Sequence, residues 1–153
     1  MNARKAAFTA LLRVSQGAYS SIALNETLSE NDISDQNKAL ASAIFYGTLE
    51  RERELDVMLR PFLRQSVSRL EKKVLIILRM GLVQLAFMDK IPESAAVNES
   101  VALAKSEGLK KASGLVNAVL RAYIRAGKPG ANNAQGEIAN GKDEKKSAGS
   151  AVP

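Results

Sequence analysis

Residues 68–87 read SRLEKKVLIILRMGLVQLAF, and this stretch decides the fold class of the chain. From Val74 to Phe87, apolar side chains surround most of a helix instead of forming one stripe, which is typical of a helix buried on nearly all sides. Ser68 and Glu71 match the Ser-x-x-Glu capping box, so the helix is predicted to begin there. The stretch therefore predicts a central, buried helix.

The sequence on both sides of this stretch shows helical periodicity almost everywhere and no hairpin signals. A long helix is predicted to begin after an N-cap at Ser34, and Pro61 is expected to kink or divide it. The prediction is an all-α domain of six or seven helices with no sheet. Helices are expected over about residues 3–16, 21–28 and 109–126, with others that begin near Ser34, Ser68 and Pro92.

The composition argues against chemistry within this chain. The chain has 153 residues and contains no Cys and no His. These absences exclude thiolate nucleophiles, Ser-His-Asp triads and the commonest metal ligands. No glycine-rich loop follows a strand, so no site for a nucleotide or a methyl donor is indicated. We therefore expect that the chain is not an enzyme on its own and that it holds neither a metal nor a cofactor.

The composition changes sharply near Gly127. Residues 128–153 are mostly Gly, Ala, Asn, Lys, Ser and Glu, and such a segment buries too little apolar surface to offset its ordering entropy. We predict a folded domain over residues 1–127 and a disordered tail or interdomain linker over residues 128–153. The N-terminus lacks a signal peptide and the longest apolar run, residues 74–78, is too short for a membrane span, so a cytoplasmic protein without membrane contact is expected.

The formal charge of +6 indicates an anionic partner, and two predicted helices carry regular sets of cations. The first helix carries Arg4, Lys5 and Arg13, with no acid before Glu26. No acid occurs between Glu107 and Glu137, a range that includes the whole of the last helix. The basic faces of these two helices are interpreted either as solvated surfaces or as surfaces that contact the phosphates of RNA or another polyanion. The stripe on the last helix consists of Lys110, Gly114, Asn117, Arg121, Arg125 and Lys128.

A third basic region precedes and enters the central helix. Of its cations, Arg69, Lys72 and Arg79 share a helical face, but Ile76 and Val83 lie on that face too. Such a mixed face suits either RNA contact or packing against another protein domain, and Arg79 is predicted to serve one of these two roles. The region comprises Arg60, Arg64, Arg69, Lys72, Lys73 and Arg79.

Six short stretches stand out by their order and spacing. They are ARKAA at 3–7, FYGTLER at 45–51, LD at 55–56, ILRMGLVQL at 77–85, IPESAAVNESV at 91–101 and LVNAVLR at 115–121. Together they resemble the NusB-like family of helical RNA-binding domains over about residues 2–127. The resemblance implies a fold of two packed three-helix bundles.

Within this family, the sequence is most similar to the N-terminal domain of Sun-type ribosomal RNA cytosine-5 methyltransferases. Gly81, Gln84 and Arg121 favour that branch, as does the segment 46–51, although Glu50 stands where Arg is expected. The resemblance implies that ribosomal RNA is the partner. It also implies that S-adenosylmethionine and the attacking cysteine belong to a catalytic domain that this chain lacks.

The leading hypothesis is therefore a non-catalytic RNA-binding domain of a small-subunit ribosomal RNA cytosine-5 methyltransferase. One alternative is an antitermination member of the family, which would bind boxA RNA and a ribosomal protein. A second alternative is a helical protein-interaction module whose basic face docks an acidic partner. Asn117 either contacts RNA or bridges helices. The predicted RNA contacts are Arg4, Lys5, Arg13, Arg79, Lys110, Asn117, Arg121, Arg125 and Lys128.

Overall fold

The structure, a computed structural model, describes residues 1–131. This part of the chain contains seven α-helices and two short 3-10 turns and has no strand, which confirms the predicted all-α class. The 3-10 turns span Arg60–Phe62 and Val67–Arg69. The helices are α1 Ala3–Ser15, α2 Ser20–Glu30, α3 Asp35–Glu50, α4 Glu52–Leu59, α5 Lys72–Phe87, α6 Glu93–Ser106 and α7 Lys110–Arg125.

Helix α5 is the centre of the fold, as its sequence predicts. Every residue from Val74 to Ala86 is buried, including the polar Arg79 and Gln84. The helix packs against α1, α3, α4, α6 and α7. A helix that is apolar all round removes most apolar surface from water when neighbours cover each of its sides, and this arrangement supplies those neighbours.

The helices form two groups of three. Helices α1, α2 and α3 pack on one another, helices α5, α6 and α7 do the same, and α4 lies against α5. Helix α1 also contacts α5 and α6, and one cluster of buried apolar residues extends from Ala7 in α1 to Tyr123 in α7. The two groups therefore share one core.

Of two predicted helix starts, the one at Ser68 is wrong and the one after Ser34 is confirmed. Helix α5 begins at Lys72, not at Ser68, because Val67–Arg69 form a 3-10 turn in which the Ser68 hydroxyl pairs with that of Ser66 at 3.1 Å. A residue inside such a turn lacks the extended backbone that an N-cap needs. The N-cap at Ser34 is confirmed, since its hydroxyl accepts a hydrogen bond from the Asn37 backbone N–H at 3.2 Å.

The long third helix is divided at Arg51, ten residues before the expected break at Pro61. Arg51 leaves the helical backbone with φ −109° and ψ 18°, and its guanidinium stacks on the ring of Phe87 at 4.3 Å from the centroid. Pro61 lies in the 3-10 turn after α4 has ended at Leu59. The bend at Arg51 turns α4 so that its acidic residues face Arg79 of α5.

The chain remains attached to the domain beyond Gly127. Gly127 adopts φ +86°, which favours glycine, and the Lys128 backbone N–H donates to the Tyr123 carbonyl at 3.0 Å, as in a Schellman helix end. Ala131 packs against the core. Residues 132–153 lie outside the described residues, so the disordered tail or linker stays a prediction. Among residues 1–131, no helix has the length and apolarity that crossing a bilayer requires.

Candidate nucleic-acid interface

The outer face of α7 is the most exposed set of predicted contacts. Val116, Val119, Leu120 and Tyr123 are buried, so the opposite side of the helix faces solvent. This side carries no carboxylate. Among the described residues, its lysines and Arg125 form no ion pair or hydrogen bond through their side chains. We call this surface the α7 face, and it consists of Lys110, Lys111, Gly114, Asn117, Ala118, Arg121 and Arg125.

Arg121 is held in place by amides rather than by carboxylates. Its Nε donates to Asn117 Oδ1 at 2.8 Å, and its Nη2 lies 3.5 Å from Asn98 Oδ1 on α6. Neutral partners restrict the rotamer of the guanidinium without cancelling its charge. The Asn117 bond stays within α7 and does not bridge helices; it orients a cation on the α7 face, and the RNA contact of Asn117 stays a prediction.

Two of the predicted contacts on α1 touch the opposite three-helix group. Arg4 is half-buried, and its Nε donates to Gln84 Oε1 of α5 at 2.8 Å. Burial lowers the pKa of the Arg4 guanidinium, and the charge of Glu99 partly offsets that effect. Lys5 forms an ion pair with Glu107 after α6. Burial and then the nearby charge of Lys73 lower the pKa of the Lys5 ammonium.

Two further predicted contacts tie neighbouring elements together through exposed or half-exposed ion pairs. Arg13 donates to Thr27 Oγ1 at 3.1 Å and to Glu30 Oε1 at 3.0 Å, which fastens α1 to α2. The Lys128 ammonium lies 3.0 Å from Glu93 Oε2 and 3.4 Å from the Leu85 carbonyl oxygen. Both cations are thus partly neutralised by carboxylates.

Arg79 is buried and holds α4 against α5. Its Nε and Nη2 donate to the two carboxylate oxygens of Asp56 at 2.7 and 2.8 Å, and its Nη1 lies 3.2 Å from Glu52 Oε2. The predicted roles of RNA contact or docking of another domain require an accessible side chain. With 8% of the residue exposed, Arg79 is placed in the interior of this domain instead.

The fold adds cations that the sequence analysis did not select as RNA contacts, although Lys73 belongs to its third basic region. Lys111 lies beside Lys110, and both line a surface depression with Glu71 at the start of α5. Lys73 is close enough to Lys5 to affect its pKa. Lys111 falls outside the stripe of α7, and only the packing brings the starts of α5 and α7 together, so no local sequence signal identifies this set. Within residues 1–131, no three acidic side chains are grouped in a way that could hold a metal ion.

The domain consists of two three-helix groups around a buried central helix, and its last helix carries a basic face without carboxylates. These features define a class of small all-α domains suited to polyanions. The NusB family profile matches residues 1–125, and the chain belongs to the NusB family. This agrees with the resemblance seen in the sequence.

Relatives of two kinds are similar to this chain. A probable ribosomal RNA small subunit methyltransferase B of Bacillus subtilis is 38% identical over 127 residues, which cover 82% of this chain and 28% of that protein. The chain thus spans less than a third of the length of that methyltransferase. The transcription antitermination protein NusB of Hahella chejuensis is 32% identical over 146 residues, covering 94% of this chain and 93% of its own length.

A solved structure is similar to the whole described fold. It is a crystal structure of the antitermination factors NusB and NusE in complex with double-stranded RNA. It superposes with a TM-score of 0.74 at 26% sequence identity, covering 81% of this chain and 94% of the matched chain. The arrangement of the seven helices is therefore that of the NusB fold.

Proposed function

We propose that this chain is the RNA-binding domain of a small-subunit ribosomal RNA methyltransferase and that the α7 face contacts the RNA backbone. The observation that carries the proposal is the exposed, carboxylate-free α7 face, with Lys110, Lys111, Arg121 and Arg125 unpaired by any acid among the described residues. The Bacillus subtilis methyltransferase, at 38% identity, supports the assignment to that branch of the family.

Each cation on the α7 face would replace counterions on a phosphate, which supplies affinity but carries little information about sequence. Arg121 is suited to a bidentate phosphate contact, because Asn117 and Asn98 already fix the orientation of its planar guanidinium. Arg4, Lys5 and Lys128 stay predicted contacts at the margin. We leave Arg13 and Arg79 out of the proposed surface, because their guanidinium groups already hold α2 and α4.

Methyl transfer would take place on a separate catalytic domain with its own S-adenosylmethionine, and this domain would position the ribosomal RNA for it. Such work on ribosomal RNA would place the protein in the cytoplasm.

The salt dependence of binding to a labelled single-stranded fragment of small-subunit ribosomal RNA, followed by fluorescence anisotropy, tests the proposal. Four phosphate contacts predict a slope of about −3 in a plot of log K against log salt concentration, at about −0.7 per contact. The double variant Arg121→Ala with Arg125→Ala should reduce the magnitude of that slope by about 1.4.

A matched double variant, Lys38→Ala with Arg53→Ala, removes the same charge from α3 and α4 and should leave the slope unchanged. Equal slopes for wild type and the α7 variant would contradict the proposed surface. No RNA affinity above background at physiological salt would favour the alternative of a protein-interaction module.

A second candidate function is transcription antitermination. The antitermination protein of Hahella chejuensis matches 94% of this chain and 93% of its own length, so it has nearly the same extent as this chain. This candidate predicts preferential binding of a boxA-like RNA together with a ribosomal protein, as in the NusB and NusE pair. A pull-down with both components should recover a ternary complex if it is correct, whereas the methyltransferase assignment predicts no such preference.

A further inference from the structure

A pocket of about 260 Å³ lies where α1, α3 and α5 meet at the start of α4. It is separate from the α7 face and uses none of that face's cations. Its lining contains both aliphatic and polar residues. The lining residues are Leu11, Val14, Ser15, Thr48, Leu49, Glu52, Lys72, Ile76 and Arg79.

Thr48 lines this pocket, and its hydroxyl is an unused hydrogen-bonding group. The residue is 2% exposed, and its Oγ1 is buried with no hydrogen-bond partner among the described residues. Thr27 is equally buried, but its hydroxyl donates to the Ala23 carbonyl at 2.8 Å and accepts from Arg13. A threonine within a helix commonly makes such a bond back to the preceding turn. Buried polar atoms without partners are rare in folded proteins, so the Thr48 hydroxyl is a candidate for bonding to a ligand.

The other polar groups of the pocket provide donors and one acceptor. Lys72 is exposed, and its side chain forms no ion pair within residues 1–131. Glu52 bonds to Arg79 through Oε2, which leaves Oε1 available. Leu11, Val14, Leu49 and Ile76 also line the pocket. A lining that combines aliphatic residues with hydrogen-bonding groups suits a flat ring whose edge carries both carbonyl and N–H groups.

The lining of this pocket is adjacent in the chain to the basic end of the molecule. Glu71 shares a surface depression with Lys110 and Lys111, and the next residue, Lys72, lines the pocket. An RNA strand that lies on the first turn of α7 would therefore pass close to the opening, where a base could be turned inward.

We infer that this pocket receives one unpaired base of the bound RNA, a uracil or guanine. The base carbonyl oxygen accepts from the Thr48 hydroxyl and the Lys72 ammonium, and the adjacent base N–H donates to Glu52. The aliphatic residues cover the faces of the ring. Adenine is disfavoured because it has no carbonyl oxygen. The inference rests on the proposed RNA-binding function, and it adds a site that recognises a base to a surface that contacts phosphates.

Methyl-resolved NMR of the full chain, titrated with a short oligouridylate and with an oligoadenylate of the same length, tests the site. A ring between the pocket walls shifts their methyl signals through its ring current. We expect such shifts for Val14, Leu49 and Ile76 with oligouridylate. The exposed Val57 on α4 serves as the control and should not move.

The matched variants Thr48→Val and Thr27→Val separate binding from stability. Thr48→Val should weaken oligouridylate binding by about three- to tenfold, the effect of one hydrogen bond, and leave the salt slope unchanged. Its melting temperature should not fall, because the lost hydroxyl has no partner. Thr27→Val should lower the melting temperature and leave the affinity unchanged.

The outcomes for the pocket and for the proposed function can be distinguished. Oligonucleotide binding with the slope expected of the α7 face, but without shifts of the pocket methyl groups, would overturn the base site and leave the proposed function intact. Absence of any binding would overturn both. Equal methyl shifts with oligoadenylate would refute the assignment to uracil or guanine.

Discussion

Arg79 is the only charged residue in the buried core of the described part of the chain. Removing a guanidinium from water is costly, and the cost is offset here by two hydrogen bonds to Asp56 and one to Glu52. The Asp56 carboxylate is itself 21% exposed, so water still reaches part of the pair. The arrangement positions α4 on α5 and explains why a basic residue occurs in an apolar helix.

Replacement of Arg79 by Ala should lower the free energy of unfolding by about 2–3 kcal/mol, below the range for a fully buried pair because Asp56 is partly hydrated. Urea denaturation measures this loss, and the double variant with Asp56→Ala should lose less than the sum of the single effects. If Arg79→Ala instead reduced the salt slope of RNA binding under conditions where it is fully folded, Arg79 would return to the surface that contacts phosphates.

Tyr123 is a second residue whose surroundings change a measurable property, here the pKa of its phenol. Its ring is buried against Phe62 in an edge-to-face contact with centroids 5.8 Å apart, and its hydroxyl has no hydrogen-bond partner among the described residues. Burial, and then the charge of Glu54, raises the pKa of the Tyr123 phenol well above its usual value. The folded protein therefore keeps this proton at a pH where the unfolded chain loses it.

Because folding raises the pKa of the Tyr123 phenol, this group stabilises the folded protein below about pH 10. That contribution to the free energy of unfolding is lost as pH rises above about 10, by up to about 1.4 kcal/mol per pH unit. Tyr123→Phe should remove this component and should not lower stability at neutral pH, since a buried hydroxyl without a partner is itself unfavourable. Urea denaturation of both proteins between neutral and alkaline pH compares the two slopes. Parallel curves would contradict the assignment.

At the scale of helices, two glycines within helices have opposite surroundings. A Cβ on Gly81 of α5 would lie 2.6 Å from Leu120 Cδ1 and 2.9 Å from Ser100 Oγ, so the missing side chain lets α6 and α7 approach α5 closely. A Cβ on Gly114 of α7 would meet nothing within 4 Å. Gly81 is thus required by packing, whereas Gly114 only lowers the helix propensity of α7.

Gly81→Ala should therefore destabilise the domain by about 1–2 kcal/mol, as overpacking outweighs the gain in helix propensity. Gly114→Ala should stabilise it by about 0.5–1 kcal/mol, because Ala restricts the unfolded chain and meets no obstacle. Thermal unfolding of the two variants beside wild type checks both signs. A stabilising Gly81→Ala would show that Leu120 and Ser100 can move aside without cost.

At the scale of the whole molecule, the ends of the described chain are fixed to the middle. Arg4 near the start bonds to Gln84 of α5, and Lys128 near the end contacts Leu85 and Glu93. The buried apolar residues of the described part lie between Ala3 and Tyr123. One shared core with both ends attached to it is expected to unfold in a single cooperative transition.

A chain shortened to residues 1–131 should melt at the same temperature as the 153-residue chain, because it retains this core and both attachments. A chain shortened to residues 1–127 should lose about 1 kcal/mol, from the Lys128 ion pair and its hydrogen bond to Tyr123. Calorimetry of the three chains decides between a domain boundary at residue 127 and one at residue 131. Equal melting temperatures for all three would favour residue 127.

The sequence by itself determined the features that depend on local pattern. The apolar surround of α5 predicts its central burial, the N-cap at Ser34 is correct, and the basic stripe of α7 lies on an exposed face because its opposite side is apolar. Each of these follows from periodicity or from a side chain bonding within one turn. The resemblance to the NusB-like family adds the grouping of the helices.

Only the tertiary structure decided which cations are free. Arg13, Arg79 and Lys128 meet carboxylates that are distant in sequence, and Lys5 meets Glu107 from the opposite group of helices. The break at Arg51, whose guanidinium stacks on Phe87, and the unpaired hydroxyl of Thr48 were likewise not indicated by any local pattern. A helical pattern fixes the face on which a charge lies, but the distance to its counter-charge depends on how separate helices pack, which no local pattern contains.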